Sequence, residues 1–256
     1  MLELRRVTRR FGGLVAVSDL SLTVTARAIH GLIGPNGAGK STVFNLISGV
    51  LPPSSGEILF NGERLSGLRS STICRRRIGR TFQVTTLFRE YTPLQNVMVA
   101  AHLRAAGGLL PTLFAFPGYR RREREIGALA RDLLVSVGLG AAADSSRPAG
   151  TLAHRDQKAL SIAMAMATGA QLLLLDEPLA GLAAQERDQV LDLLRRVRGG
   201  GVTVLLVEHD MRAVMELCDV ITVLDHGVRI AEGTPREVQE NEAVIEAYLG
   251  VEATRA

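Results

Sequence analysis

Residues 34–41 have the sequence Gly34-Pro35-Asn36-Gly37-Ala38-Gly39-Lys40-Ser41, which fits the phosphate-loop pattern of Gly, four free positions, Gly-Lys and then Ser or Thr. The apolar run Ile29 to Ile33 before it predicts a strand, and Ser41 to Ser48 after it predicts a helix that Gly49 can end. A strand, a glycine-rich turn and a helix form a phosphate site, because the turn N–H groups and the helix N-terminus face the anion. The pattern predicts that Lys40 reaches the β- and γ-phosphates and that the Ser41 hydroxyl ligates Mg²⁺.

The composition is that of a globular protein, because 46% of the 256 residues are hydrophobic, which argues against disorder. A formal charge of +4 leaves nucleic acid, an anionic membrane surface and phosphate ligands open as partners. Two cysteines are too few for a disulfide framework and the N-terminus has no apolar signal-peptide core, so we expect a reducing cytoplasm. No run reaches the roughly 18 apolar residues that a membrane-spanning helix needs.

The N-terminal third predicts strands around one helix. Apolar residues alternate with polar ones at Leu2 and Leu4 and again from Leu20 to Val24, with a turn at Gly12-Gly13. Another strand, Glu57 to Phe60, ends at the hairpin dipeptide Asn61-Gly62. This part is therefore predicted to be an antiparallel β-subdomain.

Residues 84–160 predict an inserted helical subdomain. Thr92-Pro93 caps a first helix, and a second begins in the basic run Tyr119 to Arg124. A solvated face is the favoured interpretation of these arginines, over a contact with phospholipid or RNA. Between the two helices, Ala105 to Phe116 is either a contact with a membrane subunit or a buried hairpin.

Strands and helices alternate in the remaining chain, which predicts an α/β fold with a mostly parallel sheet. The predicted elements are the strands Gln171 to Leu175, Val202 to Val207 and Val220 to Leu224, and the helices Gln185 to Val197 and Met211 to Leu217. The apolar run Leu172 to Leu175 is typical of a strand buried on both faces. A hairpin turn at 225–227 and a capping box at Thr234 then lead into a helical segment over 234–256.

Asp176 and Glu177 directly follow this buried strand, at the sheet edge where open α/β sheets bind ligands. We predict that Asp176 binds the metal and that Glu177 is the base that deprotonates the attacking water. The next strand ends in Glu208-His209-Asp210, where His209 either contacts the γ-phosphate or is an ordinary polar strand end. Phe11 either stacks on a purine base or lies in the core.

Together these motifs resemble the ATP-binding subunit of ABC transporters over nearly the whole chain. Several stretches are similar to the branched-chain amino acid importer branch, and they are Arg9 to Gly13, Gly34 to Asn45, Arg80 to Glu90, Val207 to Met211 and Ala247-Tyr248-Leu249-Gly250. In the family pattern, Asp176-Glu177 is the Walker B pair, His209 the switch histidine and Gln83 the glutamine of the loop entering the helical subdomain. The loop after Walker B matches Leu179 to Leu182.

The resemblance implies ATP and Mg²⁺ as cofactors and assigns the site residues. Catalysis falls to Glu177, His209, Gln83 and Lys40, and the metal to Ser41, Gln83 and Asp176. The implied nucleotide contacts are Phe11, Val17, Gly34, Pro35, Asn36, Gly37, Ala38, Gly39, Lys40, Ser41 and Thr42.

One motif departs from the family pattern. The signature, Leu-Ser-Gly-Gly-Gln or Leu-Ala-Tyr-Gly-Gln in the family, falls here on Leu152, Ala153, His154, Arg155 and Asp156, followed by Gln157. In the family this segment covers the γ-phosphate bound to the other subunit, so Asp156 at about 5 Å from one phosphate charge would cost roughly 3 kcal/mol. Alternatively, Asp156 caps a helix Gln157 to Ala167 and Arg155 contacts the phosphate. The departure favours pairing with a different ATP-binding subunit over a homodimer.

The sequence therefore predicts the ATPase subunit of an importer for branched-chain or related amino acids. The implied partners are a second ATP-binding subunit, two transmembrane permease subunits and, indirectly, an extracytoplasmic solute-binding protein, at the cytoplasmic face of the membrane and with no nucleic acid. Two alternatives stay open: an ABC ATPase acting on nucleic acid or ribosomes, and a small-molecule P-loop kinase.

Overall fold

The computed structural model describes residues 1–81, 87–105 and 117–253. The strands are β1 (Leu2–Phe11), β2 (Leu14–Val24), β3 (Ile29–Ile33), β4 (Ser55–Phe60), β5 (Glu63–Arg64), β6 (Ile78–Arg80), β7 (Leu172–Asp176), β8 (Thr203–Val207), β9 (Val220–Asp225) and β10 (Val228–Gly233). The helices are α1 (Lys40–Ile47), α2 (Ser70–Arg75), α3 (Pro93–Ala105), α4 (Pro117–Ser136), α5 (His154–Ala167), α6 (Ala184–Gly199), α7 (Met211–Leu217), α8 (Pro235–Gln239) and α9 (Glu242–Ala253).

These described strands form two sheets. The first is antiparallel, with the order β2-β1-β4-β5. The second has the order β10-β9-β3-β8-β7-β6, in which the neighbours from β9 to β6 are parallel and only the β9–β10 hairpin is antiparallel. The predicted α/β class with a mostly parallel sheet and an antiparallel N-terminal part is confirmed.

The parallel sheet separates two hydrophobic cores, and β7 contributes to both. Leu172 and Leu174 pack in the core around α1, whereas Leu173 and Leu175 pack in the core formed with α3 to α7. Because successive side chains of a strand point to opposite faces, an uninterrupted leucine run fits a strand covered on both sides. Each fully buried leucine stabilises the fold by about 1.5–3 kcal/mol. The strand is thereby held rigidly up to Asp176.

Helices α3, α4 and α5 contribute to one continuous core. The predicted cap of α3 is confirmed, because the Thr92 hydroxyl accepts from the Gln95 N–H (3.2 Å) and the Gln95 side chain accepts from the Thr92 N–H (2.9 Å). Helix α5 continues to Ala167, beyond the predicted end of the helical subdomain at residue 160. The proposed membrane contact at 105–116 lies, apart from Ala105, outside the described residues.

The prediction that Asp156 caps α5 is wrong. The helix already begins at His154, with Ala153 as its N-cap, so Asp156 lies inside the first turn. There its carboxylate complements the positive end of the helix dipole without capping an N–H group.

The shortest elements were the hardest to predict from the sequence. Helix α2 and strand β6 were not predicted, because six and three residues are too short to show a period.

The C-terminal segment forms two helices, and its capping box is confirmed: the Glu237 carboxylate accepts from the Thr234 N–H at 2.7 Å. Within the described residues, none of the helices combines the length and the hydropathy needed to cross a bilayer.

Candidate active site

The phosphate loop lies between the end of β3 and the start of α1, as predicted. Gly34 and Gly39 have left-handed backbone angles, with φ of 146° and 100°. A Cβ atom on Gly34 would lie 2.0 Å from the Leu224 carbonyl oxygen, and one on Gly39 would lie 2.5 Å from that of Ala16. Only glycine fits these positions, so β2 and β9 pack directly against the loop.

A cavity of about 490 Å³ opens in front of this loop. Its described lining residues are Phe11, Leu14, Val15, Ala16, Asn36, Gly37, Ala38, Gly39, Lys40, Ser41, Thr42, Glu177, Val207, His209 and His226. The cavity brings together residues from five separate parts of the chain, and its volume suits a small organic ligand. Gly34 and Pro35, the first two residues of the loop, are not among these lining residues.

Val17 is placed differently from the prediction that it contacts the nucleotide. Its side chain is fully buried, and it packs beneath the loop with a methyl group 3.5 Å from the position of a Gly39 Cβ. The neighbouring Val15 and Ala16 line the cavity instead. Local alternation in β2 could not show which of these residues faces the ligand, since β2 packs irregularly against β1.

Lys40 is buried at the centre of the loop. Its ammonium donates to the carbonyl oxygens of Gly34 (2.6 Å) and Pro35 (2.8 Å). Burial lowers the pKa of Lys40, and the negative charges of Glu177 and Asp176 oppose this shift. An ammonium held among oxygen acceptors can bind phosphate oxygens strongly, since both partners of such a contact are charged.

Asp176 ends strand β7 beside this loop and is 8% exposed. Burial raises the pKa of its carboxyl group, although the Arg80 guanidinium, 3.5 Å away, partly opposes the shift. Arg80 also donates to the side chains of Asn45 and Ser48, at 2.8 Å each, and so connects β6 with α1. The sequence analysis quoted Arg80 only as a neighbour of Gln83 and did not recognise this role.

Glu177 and His209 come together at the cavity. The His209 Nε2 atom lies 3.0 Å from the Glu177 carboxylate, and it donates because a carboxylate only accepts. Glu177 has a φ of 48°, a left-handed conformation that is unfavourable for a residue with a side chain. The third predicted member of the group, Gln83, lies outside the described residues.

The signature residues do not line this cavity within the described part of the chain. Arg155 and Asp156 form an ion pair of 2.6 Å, and only 18% of the Arg155 side chain is exposed. The Arg155 guanidinium packs beside Gly138, and the Gln157 amide donates to the Leu152 carbonyl at 2.8 Å. The side chains in the first turn of α5 therefore make their contacts within this chain.

Residues 17–180 match the family model described as ABC transporter. The chain belongs to the ABC transporter family. As a member of this family it is an ATPase and binds ATP. Residues 228–254 match a second model, described as branched-chain amino acid ATP-binding cassette transporter.

Two branched-chain amino acid transport proteins match this ABC ATPase over almost their full length. It is 44% identical to the high-affinity branched-chain amino acid transport ATP-binding protein BraF of Pseudomonas aeruginosa, over 98% of both chains. It is 41% identical to LivG of Escherichia coli, which has the same description, again over 98% of both chains. Among solved structures, an ABC transporter cassette in its ADP conformation matches with a TM-score of 0.84 and 28% identity, over 98% of each chain.

Proposed function

We propose that the chain is the ATP-hydrolysing subunit of an importer for branched-chain or related amino acids. The observation that carries the substrate class is the match of residues 228–254 to the C-terminal model of that branch. These residues form β10, α8 and α9, and lie against the phosphate loop. The relatives BraF and LivG, whose printed names describe the same transport, support the proposal.

The phosphate loop and Lys40 bind the β- and γ-phosphates of ATP. The loop, the start of α1 and Lys40 line the cavity, so their backbone N–H groups and the ammonium would stabilise the negative charge that moves onto the phosphate oxygens during hydrolysis. Phe11 is 42% exposed at the cavity rim, with the Arg9 guanidinium 4.5 Å from its ring centroid. Its free face is available to stack on adenine.

Ser41 and Asp176 fit a magnesium ion. A hydroxyl and a carboxylate supply the hard oxygen ligands that Mg²⁺ prefers. Burial raises the pKa of Asp176, with Arg80 opposing the shift in part, so a bound cation would stabilise the charged carboxylate. The described residues contain no cluster of three His, Cys, Asp or Glu side chains able to hold a metal. We expect phosphate oxygens of the nucleotide to act as further ligands of the ion. Magnesium bound there would neutralise phosphate charge.

Glu177 accepts the proton of the attacking water. Its carboxylate is held at the cavity by the His209 N–H, and a base in this position lowers the barrier to attack on the γ-phosphate. Gln83 remains a predicted ligand of the metal.

The partners follow from the same function. The chain acts at the cytoplasmic face of the membrane with two permease subunits, which receive the amino acid from an extracytoplasmic solute-binding protein. A second ATP-binding subunit completes the nucleotide sites, and we favour one of different sequence. The paired and half-buried Arg155 and Asp156 support this choice, because a regular signature presents a glycine backbone to the partner's nucleotide.

The substrate test uses the complex assembled from the chain, its permeases and its solute-binding protein in liposomes. We expect leucine, isoleucine or valine to stimulate ATP hydrolysis and to accumulate inside, and the Glu177→Gln complex to do neither. Stimulation by urea or short amides alone would contradict the substrate class while leaving the ATPase assignment intact. Salt-dependent binding of RNA, with no response to any solute, would favour the nucleic-acid alternative.

A further inference from the structure

Lysine is rare in this chain, and both lysines lie at the active site. The other 28 of its 30 basic residues are arginines, and the two lysines are Lys40 and Lys158. Each is only 6% exposed. Lys40 belongs to the phosphate loop, whereas Lys158 does not line the cavity and has no role in the proposed chemistry.

Lys158 contacts the main chain of Glu177. It lies on α5, one turn after the Arg155–Asp156 ion pair, and its ammonium donates to the Glu177 carbonyl oxygen at 3.2 Å. The Ala180 N–H donates to the same oxygen at 3.2 Å, and the Glu177 N–H donates to the Val207 carbonyl at 2.9 Å. These contacts hold a residue whose left-handed conformation is unfavourable by itself.

Glu208 completes the arrangement from the end of the neighbouring parallel strand, β8. It is 4% exposed, and its carboxylate accepts from the N–H groups of Leu179 (2.6 Å) and His209 (3.1 Å). Burial raises the pKa of Glu208 and lowers that of Lys158. Of the carboxylates that stabilise the charged form of Lys158, Glu208 contributes most, ahead of Glu177 and Asp176. The Glu208 carboxylate therefore favours the charged ammonium of Lys158.

We propose that Lys158 is a positioning residue for ATP hydrolysis. Its ammonium fixes the backbone of Glu177 so that the carboxylate meets His209 and the water, and it makes this geometry depend on the position of α5. Because α5 begins at the signature, a movement of the signature on closing against the partner subunit reaches the base through the contact between Lys158 and Glu177. The proposal rests on the proposed role of Glu177 as base.

The lysine side chain suits this position better than arginine. An ammonium is a compact point charge that can serve one carbonyl and a nearby carboxylate, whereas a planar guanidinium needs acceptors in a fixed fork. A chain that uses arginine at every cationic position except the two buried ones beside Asp176 and Glu177 is consistent with such a requirement.

The test compares Lys158→Met with Arg121→Met in the assembled complex. Arg121 is a matched control, since it carries the same charge on α4 and its side chain is 80% exposed. For Lys158→Met we expect kcat to fall by about 10- to 100-fold while KM and the ATP affinity stay within about twofold, because only the geometry of the base changes. Arg121→Met should match the unmodified complex.

The comparison of kcat with ATP affinity separates positioning from a general loss of structure. A misplaced base slows the chemical step and leaves the phosphate loop and its bound ATP unchanged, whereas a general loss of structure weakens both. An unchanged kcat would overturn the proposal, and so would a loss of ATP affinity as large as the loss of kcat.

Two further variants keep the test decisive. If Lys158→Met does not fold, Lys158→Met with Glu208→Gln removes both buried charges and keeps an acceptor for Leu179 and His209. We expect this double variant to fold and hydrolyse ATP slowly; the unmodified rate would overturn the proposal. Glu177→Gln in the same assay tests the base itself, so an active Glu177→Gln complex would refute the proposed mechanism independently of Lys158.

Discussion

The contact between His209 and Glu177 joins two motifs that are 32 residues apart in the chain. Both residues follow neighbouring parallel strands, β7 and β8, whose carboxyl ends meet at the same sheet edge. Asp176, one residue before Glu177, belongs to the buried strand end, whereas Glu177 reaches the cavity. Two adjacent carboxylates therefore differ in environment, which suits one for a cation and the other for proton transfer.

At this scale we predict that Glu177→Gln keeps ATP binding and slows hydrolysis by about 10²- to 10⁴-fold. The amide has the shape of the carboxylate but cannot accept the proton of the water. Steady-state hydrolysis and equilibrium ATP binding by the assembled complex measure the two effects. Glu240→Gln is the control, because Glu240 is an exposed carboxylate on the C-terminal part of the chain. Equal hydrolysis by both variants would refute the base assignment.

At the scale of elements, a row of hydrogen-bonded side chains links strands β3, β9 and β10. His30 is 1% exposed, and its Nε2 atom lies 2.8 Å from the Thr222 hydroxyl, which in turn lies 2.9 Å from the Glu232 carboxylate. The single hydroxyl hydrogen must go to the carboxylate, so the hydroxyl accepts from a protonated Nε2. Neutral His30 can make both hydrogen bonds of this row possible, and burial lowers the pKa of His30 from 6.5 to about 4.

We predict that His30 makes the folded chain less stable in acid. Between pH 6.5 and about 4 the unfolded histidine binds a proton that the folded one does not, so acidification favours unfolding, by about 3 kcal/mol in total. The free energy of unfolding, from urea titrations at pH 7 and pH 4, should therefore fall more for the unmodified chain than for His30→Gln. An identical fall for both would show that His30 titrates alike in the folded and unfolded states.

At the scale of the whole molecule, the signature and the cavity of one chain serve different nucleotides in the proposed assembly. The cavity residues are all present and together, whereas the signature carries the Arg155–Asp156 ion pair where the family has glycine and glutamine. One chain can thus hold a competent phosphate loop and a weak signature. Such a chain favours a partner of different sequence.

We predict that Glu177→Gln alone stays monomeric with ATP and Mg²⁺, and that adding Arg155→Gly and Asp156→Gln produces an ATP-dependent dimer. The two changes remove a carboxylate and allow close approach of the backbone to phosphate. Light scattering measures the mass. Arg131→Ala with Asp132→Asn is the matched control, since it removes the same two charges from an exposed part of α4. Dimerisation of Glu177→Gln without signature changes would contradict hetero-pairing.

Local patterns in the sequence determined the phosphate loop, the buried strand before Asp176, most element positions and the order of the motifs. These features depend on neighbours within a few residues: glycine at left-handed positions, a period of two or 3.6, and caps such as Thr92 and Thr234. Tertiary structure alone decided which side chains meet. Val15 and Ala16 line the cavity in place of Val17, Arg80 reaches Asp176, and Lys158 reaches Glu177. Each of these contacts depends on how separate elements pack together. A local sequence pattern depends only on neighbouring residues, so it cannot predict which distant side chains come within contact distance.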